Sequence, residues 1–85
     1  MKRTDFTYGQ LDKALHALGF SRRSLEGKPP AFRYEHEETG AAFTIPPFPE
    51  SDFVLEYHLV GARTIADLFG VADPKVFDSQ LGKAA

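Results

Sequence analysis

Two proline clusters fence the middle of this chain. Pro29-Pro30 stands on one side and Pro46-Pro47-Phe48-Pro49 on the other, five of the six prolines in 85 residues. Proline has no N–H to give to a ladder, so neither cluster can sit inside a helix or a central strand. The segment between them has to fold on itself. Ala31-Phe32-Arg33-Tyr34-Glu35-His36-Glu37 alternates, with Phe32, Tyr34 and His36 on one face and Arg33, Glu35 and Glu37 on the other. Glu38-Thr39-Gly40 supplies a turn, with Gly where a positive φ is tolerated. Ala41 to Ile45 returns as the second arm of a β-hairpin. Phe20 to Leu25 reads as a further strand, joined through the loop Glu26-Gly27-Lys28-Pro29-Pro30. Together these predict a three-stranded antiparallel meander.

Helices are expected on either side. Thr7-Tyr8-Gly9-Gln10 fits a capping box, in which the Thr7 hydroxyl and the Gln10 side chain each reach the other's backbone N–H. Phe6 and Leu11 are spaced for a hydrophobic staple. Leu11, Leu15 and Leu18 form a buried stripe with Ala14 beside them, and Gly19 is placed to stop the helix. Asp12, Lys13 and His16 fall off that stripe and are expected to face water. Glu50 to Tyr57 reads as an extended connection. A second helix is predicted from about His58 to Phe69, with Ala62, Ile65 and Phe69 as its apolar line, Leu68 adjoining, and Gly70 as its stop. Asp73-Pro74 opens a short third helix to about Leu81, with Phe77 and Leu81 one turn apart. The expected fold is therefore α+β, in the order α-β-β-β-α-α. It is one domain over residues 1–85, with the first two helices on one face of a small antiparallel sheet and the other face open.

Composition excludes several functions. There is no cysteine, hence no disulfide framework, no zinc–thiolate site and no cysteine nucleophile, and a cytoplasmic protein is the simplest expectation. No apolar run has the length of a secretory signal or a membrane span. His16, His36 and His58 are too widely spaced for a local metal motif, and His36 points away from Glu35 and Glu37 on a strand. Nucleotide-binding glycine patterns and Gly-x-Ser-x-Gly are absent, and Glu50, Asp52 and Glu56 read as a solvated acidic segment. No cofactor, metal or catalytic residue is expected. The net charge of −2 hides a split. Residues 1–34 carry seven Lys/Arg against three Asp/Glu, and residues 35–85 carry three against nine. Arg22, Arg23, Lys28 and Arg33 cluster in the basic half and are the candidate nucleic-acid contacts, by pairing with phosphates. Phe32 and Tyr34 are interleaved with them but belong to the expected core. Arg22 and Arg23 should point to opposite faces, so at most one joins a continuous stripe.

The stretch Leu11-Asp12-Lys13-Ala14-Leu15-His16-Ala17-Leu18-Gly19-Phe20 resembles the opening helix and Gly-Phe junction of HicA-type toxins. The hairpin Tyr34 to Gly40 with Thr44-Ile45-Pro46, and the helix His58 to Val71, are similar to later elements of the same family. The resemblance spans about residues 8–81. It implies a fold like the double-stranded-RNA-binding domain, cleavage of mRNA, and neutralisation by a HicB-type antitoxin. The family's active histidine lies in a Gly-Ser-His motif at the start of the second strand. Here that stretch is Gly27-Lys28-Pro29-Pro30-Ala31-Phe32-Arg33, with Pro29 at the histidine position. Proline is neither an acid nor a base, so no catalytic residue carries over. Three functions remain open. One is an RNA-binding or toxin–antitoxin-related regulatory module without the family histidine. Another is an active mRNA interferase with a relocated His36 or His58. The third is a protein-interaction domain that uses the open sheet face or the Glu50–Glu56 segment.

Overall fold

The computed structural model describes residues 2–84. The chain is α+β. Its elements are β1 (Arg3–Thr7), α1 (Tyr8–Ala17), β2 (Ser21–Leu25), β3 (Ala31–His36), β4 (Ala41–Ile45), β5 (Phe53–Leu55), α2 (Glu56–Leu68) and α3 (Pro74–Lys83). The expected meander is present as an antiparallel sheet in the order β2-β3-β4. Its register sets Arg23 opposite Arg33 and Tyr34 opposite Phe43.

Local chemistry explains the helix starts. Thr7 Oγ1 accepts the Gln10 N–H at 3.2 Å while Gln10 Oε1 accepts the Thr7 N–H at 2.9 Å, completing the capping box. Asp73 Oδ1 accepts the Val76 N–H at 2.9 Å, with Pro74 following the cap in the first turn of α3. Gly19, at φ +97°, turns the chain from α1 into β2 in the left-handed region. A Cβ there would stand 3.0 Å from His36 Nε2, so both backbone and packing demand glycine.

One expectation fails in the order of elements. Residues 50–57 are not simply a connection, and the chain does not begin at α1. Phe53–Leu55 pairs antiparallel with Arg3–Thr7 as a separate two-stranded sheet, and α2 starts at Glu56. The physical reason is burial. Val54 is completely enclosed, and buried backbone groups need partners. The N-terminal segment supplies them, aided by the Thr4 hydroxyl, which donates to the Val54 carbonyl at 3.0 Å.

A second correction concerns α2. Its buried line is Leu59, Ala62 and Ala66, with His58 beside it. Ile65 is only partly buried, Leu68 is 74% exposed, and Phe69, past the helix end, is 44% exposed. The helix is apolar on two sides, and its smaller side chains face inward. Arg63 Nε and Asp78 Oδ1, 3.5 Å apart, join the same two helices.

All the fully buried side chains of the three-stranded sheet lie on one face. Tyr34, Ala41 and Ile45 merge there with Leu11, Leu15, Ala62, Phe77 and Leu81 into one cluster, and His36 is buried on the same face. Each fully enclosed Leu or Phe contributes roughly 1.5–3 kcal/mol. The third helix packs on α1 and α2. The opposite sheet face, with Ser21, Arg23, Arg33, Glu35, Ala42 and Thr44, is free of helices.

Candidate nucleic-acid interface

Strand alternation separates the four basic candidates. Arg22 sits on the helix-facing side. Its guanidinium lies 4.6 Å from the centroid of the Phe32 ring, and its Nη1 is 3.3 Å from Asp12 Oδ1. Tyr34 donates its hydroxyl to the same carboxylate oxygen at 2.6 Å. On the other side of Asp12, His16 Nδ1 lies 2.8 Å from the Asp12 carbonyl and 3.4 Å from Oδ2. His16 is exposed as expected, but Asp12 is not merely part of a solvated helix face. Asp12 is the hub that fastens α1 to β2 and β3. Burial, reinforced by the hydrogen bond to Asp12, holds the Tyr34 proton well above the ordinary phenol range. Arg22 is accordingly occupied in structure.

Arg23 and Arg33 face the other way. They stand directly opposite each other across β2 and β3, on the helix-free face. Both reach one oxygen. Arg23 Nη2 is 3.0 Å and Arg33 Nε is 3.4 Å from Glu35 Oε1. Two cations set opposite each other across a ladder repel, and exposed ion pairs return only about 0–1 kcal/mol. One carboxylate therefore aligns two guanidiniums without neutralising both, and most of their ten N–H donors stay free. They border an open depression of about 530 Å³, whose far wall is formed by Glu37 and Gly40 at the hairpin end. The face is thus graded from basic at the β2–β3 loop to acidic at the β3–β4 turn. Lys28 lies exposed in that loop, as does Glu26. Leu25 and Ala31, the last pair before the loop, are two residues beyond Arg23 and Arg33, roughly 7 Å along the strands.

The two candidate histidines sit elsewhere. His36 is on the helix-facing side, its Nδ1 2.9 Å from Thr39 Oγ1 and its ring against Phe20. It reaches only the acidic wall of the depression. His58 lies near the start of α2, its Nδ1 joined to the Tyr8 hydroxyl at 2.7 Å, while the Leu55 N–H donates to the same hydroxyl at 3.2 Å. Phe48 stacks on Tyr8 with centroids 4.6 Å apart. Burial pulls the His58 pKa below its ordinary value and pushes the Tyr8 hydroxyl above its own. This Tyr8–His58 pair had no signal in the sequence, since its members are fifty residues apart. Among the described residues no three His, Asp or Glu side chains gather in a way that would hold a metal ion. No helix among them is long and apolar enough to cross a membrane. Comparison with family models, with curated proteins and with solved structures found no match for this chain.

Proposed function

We propose that this protein is a HicA-like module that binds RNA through phosphate contacts from Arg23, Arg33 and Lys28, and does not cut it at the position where that family places its histidine. The observation that carries this reading is the cross-strand pair Arg23–Arg33, set on the helix-free face with one shared carboxylate oxygen. A fold seeking stability alone gains nothing from opposing two cations in that way. An anionic ligand supplies the missing counter-charge, and guanidinium donors match phosphate oxygens in number and direction. The proline at position 29 can act as neither acid nor base where the resembled family places its histidine. Arg22, held by Asp12 and Phe32, orients the sheet and makes no RNA contact. A HicB-like protein is the partner that the resemblance implies, and the cytoplasm is the compartment that fits a chain without cysteine.

The test is a titration of fluorescent single-stranded and hairpin RNA with the purified chain at about 50 and 200 mM salt, where each lost phosphate contact lowers the slope of log affinity on log salt by roughly 0.7–0.9. Replacing Arg23 and Arg33 by Glu is expected to abolish binding. Arg63→Glu, on the opposite side of the molecule, is no suitable control because it pairs with Asp78; Lys75→Glu in α3 is expected to leave binding intact. Absence of RNA binding by the parent, or equal binding by the double variant, refutes the reading. Cleavage of the RNA that disappears in His36→Ala or His58→Ala would instead assign a relocated catalytic histidine.

A further inference from the structure

The depression on the helix-free face has a shape that its arginines alone do not explain. The register sets Ser21 and Ala42 on either side of Glu35, in one row across the three strands. Both neighbours are small, so the face sinks at that row, between the Arg23–Arg33 pair and the hairpin end. At about 530 Å³ the hollow falls within the roughly 300–1,000 Å³ of small-molecule sites, enough for one nucleobase and its sugar.

The two ends offer opposite chemistry. Arg23 and Arg33 present N–H donors only. Glu37 lines the other end, is exposed, and enters no ion pair among the described residues, whereas Glu35 is taken by the two arginines. A phosphate chain laid along the whole depression would bring like charge against Glu37. A strand that gives a phosphate to the arginines must therefore turn a base toward the hairpin end. Arg33 and Glu37 are four residues apart, roughly 13 Å at the rise of a strand, a span that one nucleotide covers from its phosphate to the outer edge of its base.

The base itself follows from the acceptor. His36 is the one aromatic lining the hollow, and it is only 8% exposed, so stacking, which suits every base alike, has little surface to act on. Choice is left to hydrogen bonds. An ionised carboxylate accepts and cannot donate. The pairing edges of adenine, cytosine and uracil each set one donor position beside an acceptor, which a carboxylate repels. Guanine sets two donors side by side, N1–H and N2–H, and these fit the two oxygens of one carboxylate. On the reading that this face binds RNA phosphates, we infer that Glu37 makes it selective for an unpaired guanine, with Arg23 and Arg33 on the phosphate and Glu37 accepting N1–H and N2–H. The guanine has to be unpaired because base pairing uses the same edge.

The test is a titration of the full chain against fluorescent uridine-tract RNAs of about ten nucleotides, carrying guanosine, inosine, adenosine or cytidine at the centre. At about 50 mM salt the guanosine RNA is expected to bind roughly tenfold more tightly than the adenosine and cytidine ones. Inosine keeps N1–H and lacks the N2 amino group, so it should lose most of that preference without any change to the protein. Glu37→Ala should remove the preference while leaving the uridine tract bound as before. Glu38→Ala, exposed and outside the depression, should keep it. Equal binding of guanosine and adenosine RNAs overturns the inference and leaves the phosphate reading standing. A guanine preference that survives both inosine and Glu37→Ala overturns it too. A parent that binds none of these RNAs removes both readings at once.

Discussion

Arg22 and Arg23 are neighbours in the chain and belong to opposite faces of one strand. The first is wrapped by Phe32, Asp12 and, through Asp12, Tyr34. The second faces away from every helix beside Arg33, sharing a single oxygen of Glu35. Both carry the same group and both have a carboxylate in reach, yet the two carboxylates act differently. Asp12 is largely enclosed and collects a phenol, a guanidinium and an imidazole, so it ties three elements together. Glu35 is 40% exposed and serves only to hold two arginines side by side. Charge on the helix side is structural, and charge on the open side is available to a ligand. Both arginines are exposed, and alternation along β2 decides which carboxylate each one meets.

Substitutions can break that contrast. The largest effect is expected from Tyr34→Ala, which leaves a cavity under the sheet and deprives Asp12 of its donor; a loss of about 3–5 kcal/mol in urea unfolding is expected. If the loss is no greater than that of an open-face variant, the two faces are not as different as described. A smaller effect comes from pH. His58 is held neutral by burial, so its folded pKa lies below the unfolded value of about 6.5. The unfolded chain therefore takes up a proton first as pH falls. The contribution of His58 is fully present above about 6.5 and is lost as pH drops through the folded value. The unfolding midpoint measured between pH 7.5 and 5 should fall, and His58→Gln should flatten that fall. The smallest effect sharpens the contrast from the other side. Glu35→Gln should change stability by less than about 0.5 kcal/mol. It should also tighten RNA binding and steepen its salt dependence, as read in the same titration. Weaker binding would mean that Glu35 positions the arginines more than it competes with the ligand.

Much of the fold was legible because its signals are local. The Thr7 and Asp73 caps, the glycine stops and the hairpin between the prolines each need only a few consecutive residues, and each stands where expected. The divergence of Arg22 and Arg23 followed from strand alternation alone. What could not be read was non-local. Strands β1 and β5 join segments about fifty residues apart, and a ladder of three to five residues carries no period of its own. The role of Asp12 depends on Tyr34, twenty-two residues away. In α2 two faces are apolar, so periodicity could not choose between Leu59–Ala62–Ala66 and the outer line. Tertiary packing made that choice.

The start of α1 has a consequence for how the protein is made. Thr7 ends β1 and caps α1 at once, with no loop between them. The next two N–H groups of the helix are bonded by carbonyls far downstream: Tyr8 N–H to Asp52 O at 2.9 Å and Gly9 N–H to Glu50 O at 3.0 Å. Gly9 admits the Glu50 backbone, which a Cβ would meet at 3.3 Å. While the chain is being synthesised, the first helix therefore waits with open donors until residues 50–52 have left the ribosome. A nascent chain arrested before that point holds α1 without this anchor.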